Sequence, residues 1–294
     1  MAAELIDGKA IASQIHEQTA ARVVALKGRD IQPHIVFVRV GEDPASQAYV
    51  GMKDKMGKQL GLLTTTKIFP DNTTESELLA FLTQLNSDKS VHGILVQAPL
   101  PSHISETVVF GHVSPLKDVD GFHPVNVGKL LLGDGTGFRP CTPAGVHELL
   151  IRSGVKTEGA EVAILGRGNI VGKPMAAILC QKDRHANSTV TLLHSRSRDI
   201  ASHTHRADIV IAAMGQPHFL KAEMVKPGAV IIDVGVNRIP DASVPRGYRL
   251  VGDVEFDALL PLVSKITPNP GGVGPMTIAM LMSNTTRAAE LQNT

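Results

Sequence analysis

Tryptophan is absent from this chain of 294 residues, and tyrosine occurs only twice. The tyrosine in "QAYVGMKDKMGKQLG", 47–61, therefore stands out. Cysteine is nearly absent too: Cys141 and Cys180 are the two, which excludes a disulfide framework and suits a reducing compartment. Net charge is only +1, so no general attraction to nucleic acid or to a membrane surface is implied. No apolar run reaches membrane-spanning length. The start, "MAAELIDGKA", carries Glu4 and Asp7 without a long apolar stretch, unlike a secretory signal or a transit peptide. A cytoplasmic protein is expected. Metal catalysis is not: the twelve histidines form no HExxH pattern, and "HTH" at 203–205 lacks partner ligands. No Walker loop and no GxSxG elbow occur. Internal repeats and low-complexity segments are missing as well.

What remains is an ordinary globular composition, 43 % hydrophobic and 19 % charged, long enough for one large or two ordinary domains. The pattern along it alternates. A helix is expected over 8–27, a buried β-branched strand at "HIVFVRV", 34–40, and a helix opened by Asp43 and Pro44 and stopped at Gly61. "TTTKIF", 64–69, reads as a strand. Thr74 and Glu77 form a capping box for a helix to about Asn86. "VHGILVQAPLP", 91–101, reads as a strand ended by prolines. After "RPCTPAG", 139–145, comes a helix to about residue 153. Strands follow at 161–165, 188–197, 207–215 and 228–237. Such alternation implies mainly parallel sheets covered by helices, in two α/β units joined near residue 140.

Gly166, Gly168 and Gly172 follow a strand and open a helix. Small residues there let backbone amides approach a pyrophosphate, whose charge the helix N-terminus favours. The GxGxxxG spacing is one residue longer than the common fingerprint, and a plain tight turn is the competing reading. The next strand ends in "LLHSRSR", with His194, Ser195, Arg196 and Arg198 and no carboxylate before Asp199. Together with Arg167, these groups suit a 2′-phosphate, so NADP is favoured over NAD. A solvated basic loop is the alternative.

In the first unit, Tyr49 and Lys53 are four residues apart, on one face of a helix. They form either a substrate platform beside a reactive amine or a half-buried ring beside a solvated lysine. Lys55 falls on the opposite face. Gln97 ends an apolar strand, where open α/β sheets place ligands, or it satisfies backbone groups there. Asp118 and Asp120 share a loop, and either could simply cap a turn. "ITPNPGGVGPMT", 266–277, lets backbone approach a ligand closely or makes a rigid crossover.

Nine stretches, in order, carry a resemblance that covers nearly the whole chain: "YVGMKDK", "VHGILVQAPLP", "KDVDGFHPVNVGKL", "PCTPAG", "GRGNIVGKPM", "GQP", "GAVIIDVGVN", "VGDV" and "ITPNPGGVGPMTIAML". The sequence resembles the bifunctional methylenetetrahydrofolate dehydrogenase/methenyltetrahydrofolate cyclohydrolase family. The resemblance implies two α/β domains around a cleft, the second a Rossmann-like NADP-binding parallel sheet. It implies a catalytic folate domain at 1–140 plus 276–294, a cofactor domain at 141–275, a final helix over about 276–292, and a homodimer. It implies oxidation of 5,10-methylenetetrahydrofolate to the methenyl form with NADP, then hydrolysis to 10-formyltetrahydrofolate. Tyr49 would stack on the folate, Lys53 would be the key cyclohydrolase residue, Gln97 would hydrogen-bond it, and Asp120 would hold the pterin. Pro270, Gly271 and Gly272 would border the folate. Gly166, Arg167, Gly168, Ser195, Arg196 and Val236 would contact the cofactor. Ala98, Gly168 and Asn269 depart from the commoner leucine, serine and valine. A different small substrate for an NADP dehydrogenase, or a non-catalytic sensor, are the rival functions.

Overall fold

The computed structural model describes residues 3–244 and 247–294. In chain order the elements are β1 (Glu4–Leu5), α1 (Gly8–Lys27), β2 (His34–Val40), α2 (Pro44–Gln59), β3 (Leu63–Phe69), α3 (Glu75–Ser87) and β4 (Gly93–Val96). Next come α4 (Glu106–His112), α5 (Pro124–Leu132), α6 (Cys141–Arg152), β5 (Glu161–Leu165), α7 (Gly172–Leu179), β6 (Thr189–Leu193) and α8 (Ile200–Arg206). The rest are β7 (Ile209–Ala212), β8 (Val230–Asp233), β9 (Asn237–Pro240), β10 (Tyr248–Val251), α9 (Phe256–Leu259), β11 (Lys265–Ile266) and α10 (Val273–Leu291). The chain divides into two compact units, Met1–Ala12 with Thr142–Thr277, and Ser13–Cys141 with Ile278–Thr294.

The second of these units is built on a parallel three-stranded sheet, ordered β3-β2-β4. Its central strand, β2, is buried on both faces, as a β-branched run in a parallel sheet should be. Ile35 and Phe37 face one core cluster, with Val50, Leu95, Leu281 and Met282. Val36, Val38 and Val40 face another, with Leu78, Leu82 and Ile94. That is the two-residue period of a strand. The helix starts are locally encoded. Asp43 accepts the amide of Ser46 and Pro44 opens α2. Thr74 and Glu77 cap α3 reciprocally. Strand β4 is shorter than "VHGILVQAPLP" suggests, because Pro99 and Pro101 cannot donate to a ladder.

The other unit is a parallel six-stranded sheet in the order β1-β11-β8-β7-β5-β6. Its strands are short and apolar; Val210, Ile211, Ile231 and Ile232 are fully buried. A separate antiparallel pair joins β9 and β10.

The N-terminus differs from the sequence-based division at residues 1–140. Residues Glu4–Leu5 form an edge strand beside Lys265–Ile266, and Ile6 is buried there. Ala3, Glu4 and Ile6 donate their amides to the carbonyls of Leu260, Ser264 and Ile266, which completes the sheet edge, and a two-residue strand is too short to show a period in the sequence. Among the described residues no helix is long and apolar enough to cross a membrane.

Candidate active site

Helix α2 runs back over the three-stranded sheet and presents Tyr49 and Lys53 on one face. The lysine is only 4 % exposed. Its ammonium or amine Nζ donates to Gln97 Oε1 at 3.0 Å and lies 4.8 Å from the centroid of the Tyr49 ring. Gln97 stands just past β4. Its own Nε2 donates to the Ala98 carbonyl at 2.6 Å, which fixes the amide oxygen toward the lysine. Lys55, by contrast, is exposed.

The loop 114–124 separates its two aspartates by task. Asp118 is buried and accepts four donors: the amides of Gly121, Phe122 and His123, and Asn126 Nδ2. It is a turn-former. Asp120 is left for the site, where its charge and that of Lys53 act on each other. Lys117 anchors the loop from below by donating to the carbonyls of Leu85 and Asp88.

Burial pushes the Lys53 amine below the ordinary lysine value, and the nearby Asp120 and Cys141 only partly oppose it. Burial likewise raises Asp120, opposed by Lys53 and a hydrogen bond with Cys141. Desolvation dominates both groups, so each is drawn toward its neutral form. Sequence reasoning missed Cys141 as a member of this cluster. Its thiol donates to the Val119 carbonyl at 3.3 Å and is held well above the usual thiol range by burial. It is an inert neighbour rather than a nucleophile. Nothing in a lone cysteine at a helix start signals this.

In the six-stranded unit the glycine turn has the geometry its position demands. Gly166 has φ +116°, and a Cβ on it would meet the Ala213 carbonyl oxygen at 2.2 Å. Gly168 faces open space. Val171, ahead of α7, makes no side-chain cap; in the first turn Lys173 donates its amide to the Gly168 carbonyl and Pro174 has none to give, so an anion there would be met mainly by the turn itself. Arg167, Ser195 and Arg196 are all exposed. Asp199 is spent as the cap of α8, accepting the amide of Ser202. No carboxylate from "SRSRD" is thus free to take a ribose 2′-hydroxyl. These residues fit a phosphorylated dinucleotide. Val236 is exposed beyond β8, and Pro270, Gly271 and Gly272 lie between β11 and α10 in this same unit. Asn269 donates to the Gly235 carbonyl, so this departure ties two loops together.

A doubly wound sheet with an open glycine turn, and an amide-held buried lysine on another α/β unit, define a dinucleotide-dependent enzyme with a second chemistry. Residues 140–293 match the family of the tetrahydrofolate dehydrogenase/cyclohydrolase NAD(P)-binding domain, and residues 6–120 match its catalytic domain. The chain is 50 % identical to the bifunctional protein FolD of Desulfotalea psychrophila over 291 residues, 98 % of each chain. It is similar to the crystal structure of the bifunctional enzyme FolD from Campylobacter jejuni, at 43 % identity and TM-score 0.93, covering 99 % of each. It is also similar to a Trypanosoma brucei methylenetetrahydrofolate dehydrogenase-cyclohydrolase solved with NADP and an inhibitor, at 38 % identity and TM-score 0.93, covering 99 % of this chain and 98 % of that one. The chain belongs to the tetrahydrofolate dehydrogenase/cyclohydrolase family. It is a bifunctional methylenetetrahydrofolate dehydrogenase and methenyltetrahydrofolate cyclohydrolase.

Proposed function

We propose that Lys53 is the proton-transfer group of the cyclohydrolase step, oriented by Gln97, beside a folate held by Tyr49 and Asp120. The observation that carries this is the buried Nζ of Lys53, hydrogen-bonded to an amide oxygen rather than locked to a carboxylate. An amide orients the amine without adding charge, so burial keeps the lysine ready to act as a base near neutral pH.

In the oxidation, the carbon bridging two folate nitrogens loses hydride and leaves a cation shared between them. Bound NADP⁺ supplies the acceptor for that hydride. This step asks the protein for alignment more than for acid or base. Tyr49 offers it by stacking. Asp120 would accept the paired N–H donors of the pterin's amino-pyrimidine edge.

In the hydrolysis, water adds to the bridge carbon and its proton passes to the neutral amine of Lys53. The bond from that carbon to the pterin ring nitrogen then breaks as the C–OH becomes the formyl C=O; the lysine returns its proton to the nitrogen, and the hydroxyl proton is released to solvent, the net loss that discharges the cation. The product is the 10-formyl compound. Arg167, Ser195 and Arg196 would hold the 2′-phosphate of NADP, with Gly166, Gly168 and Val236 along the rest of the dinucleotide. A homodimer in the cytoplasm completes the reading; analytical ultracentrifugation tests its first half.

The test of the central role is hydrolysis of methenyltetrahydrofolate by Lys53→Met, with folate binding measured alongside. Lost hydrolysis with retained binding is expected. Hydrolysis at the wild-type rate would remove the lysine from the mechanism.

A further inference from the structure

Two buried carboxyl groups lie outside the machinery described so far. Asp253, fully buried, follows β10. Its Oδ2 accepts the amides of Met214 at 2.6 Å and Gly215 at 2.9 Å, and its Oδ1 accepts the Gln216 amide at 3.0 Å and Asn237 Nδ2 at 2.8 Å. Three successive backbone N–H groups thus wrap one carboxylate, the geometry of an anion nest. Asp233, the last residue of β8, is 4 % exposed. Its Oδ1 accepts the amides of Gly235 at 3.0 Å and of Asp253 itself at 2.9 Å. The fit is close enough to dictate sequence: a Cβ on Gly252 would lie 1.6 Å from Asp233 Oδ2, and one on Gly235 would lie 2.2 Å from Asp253 Oδ1.

The place matters more than the packing. Segments 214–216 and 233–237 leave the carboxyl ends of the adjacent strands β7 and β8. Strand β5 pairs β6 on one side and β7 on the other, so the winding direction reverses between β5 and β7. An open parallel sheet takes its ligand outside the carboxyl ends at such a reversal. Gly166 of the glycine turn abuts Ala213, the residue just before the nest. Exposed Val236 lies between Gly235 and Asn237, each tied to the aspartate pair. The pair therefore shapes the loops after β7 and β8, on the side of the crevice that faces the glycine turn after β5.

We propose that Asp253 and Asp233 are positioning residues for the cofactor, holding the 214–216 and 235–237 segments in the conformation that NADP requires. This rests on the reading of the six-stranded unit as the NADP site. Burial, aided by the charge of Asp253, raises the Asp233 carboxyl to about 6, against which its backbone donors work. Nearby, the His218 ring is set against the Val254 carbonyl. Ionisation of Asp233 adds a second negative charge to the network near neutral pH and should loosen the loops.

Two variants test this. Asp253→Asn turns an NH₂ or a lone acceptor toward four donors. The expected result is a rise of roughly tenfold or more in KM for NADP⁺, with kcat at saturating cofactor little changed and cofactor-free hydrolysis of methenyltetrahydrofolate intact. An unchanged KM in protein that still hydrolyses would overturn the proposal. Asp233→Asn serves even if the first variant fails to fold, since it retains the Oδ1 acceptor. The NADP⁺ dissociation constants of wild type and Asp233→Asn are compared from pH 5 to pH 8. The 2′-phosphate titrates in this range too, so the ratio of the two constants is the readout. The ratio of wild type to variant should climb through about pH 6; a flat ratio contradicts the role. Wild type that binds no NADP⁺ would instead defeat the reading of the unit.

Discussion

At the scale of single residues, the account turns on which form of each buried group the fold prefers. Lys53 is lowered by burial, so its neutral form gains population as pH rises through a value below the ordinary ~10.4. The cyclohydrolase rate should therefore rise with pH and reach a plateau, and Lys53→Arg should remove that limb. A pH–rate profile of methenyltetrahydrofolate hydrolysis checks this; an unaltered limb in the arginine variant points to another base. Asp233 behaves in the opposite sense to an ion-paired carboxylate. Its folded value is about 6, above the ~3.9 of an unfolded chain. The folded state holds the proton longer, so this group makes stability fall as pH rises from about 4 to about 6, and not beyond. The whole effect is at most roughly 3 kcal/mol. Urea unfolding at several pH values should show Asp233→Asn gaining on wild type across that window. A pH-independent difference would argue that the carboxyl is not buried as ionised. Residue-level reading of the sequence went far here because the spacing Tyr49–Lys53 is fixed by helical geometry. It could not choose between Asp118 and Asp120, since two loop carboxylates look alike until the amides they accept are seen.

At the scale of elements, caps and turns were the legible features. Asp43–Pro44 and Thr74–Glu77 start helices where local chemistry requires it. Thr74→Ala should cost about 1 kcal/mol by removing one half of the box, measurable by thermal or urea unfolding, with both activities unchanged. The loop after β6 carries a more functional expectation. With Asp199 committed to the cap of α8, the double change Ser195→Ala and Arg196→Ala should raise KM for NADP⁺ by roughly tenfold or more while leaving KM for NAD⁺ alone. Equal loss for the two cofactors would move the 2′-phosphate elsewhere. Of the elements of two to four residues, the apolar strands β4, β7 and β8 were legible and the others stayed hidden. Strands β1, β11, β9 and β10 and helix α9 have too few positions to show a period, and their existence depends on partners far along the chain.

At the scale of the whole molecule, alternation of strand and helix announced parallel sheets, and the reversal between β5 and β7 follows from strand order alone. Strand order is not written in local sequence, because it reflects which neighbour each strand pairs with. The carboxylate network of Asp233 and Asp253 is illegible for the same reason: it joins residues 214–216, 233–237 and 252–253. The short "VGDV" around Asp253 gives no hint of donors some forty residues away. The central claim remains the division of labour between a dinucleotide turn and a buried lysine. Paired assays on wild type and Lys53→Met measure it most directly, following NADPH formation from methylenetetrahydrofolate and, separately, hydrolysis of methenyltetrahydrofolate. The account predicts that hydrolysis disappears in the variant while folate and NADP⁺ still bind. Hydrolysis at the wild-type rate would return Lys53 to a merely packed amine and contradict the account.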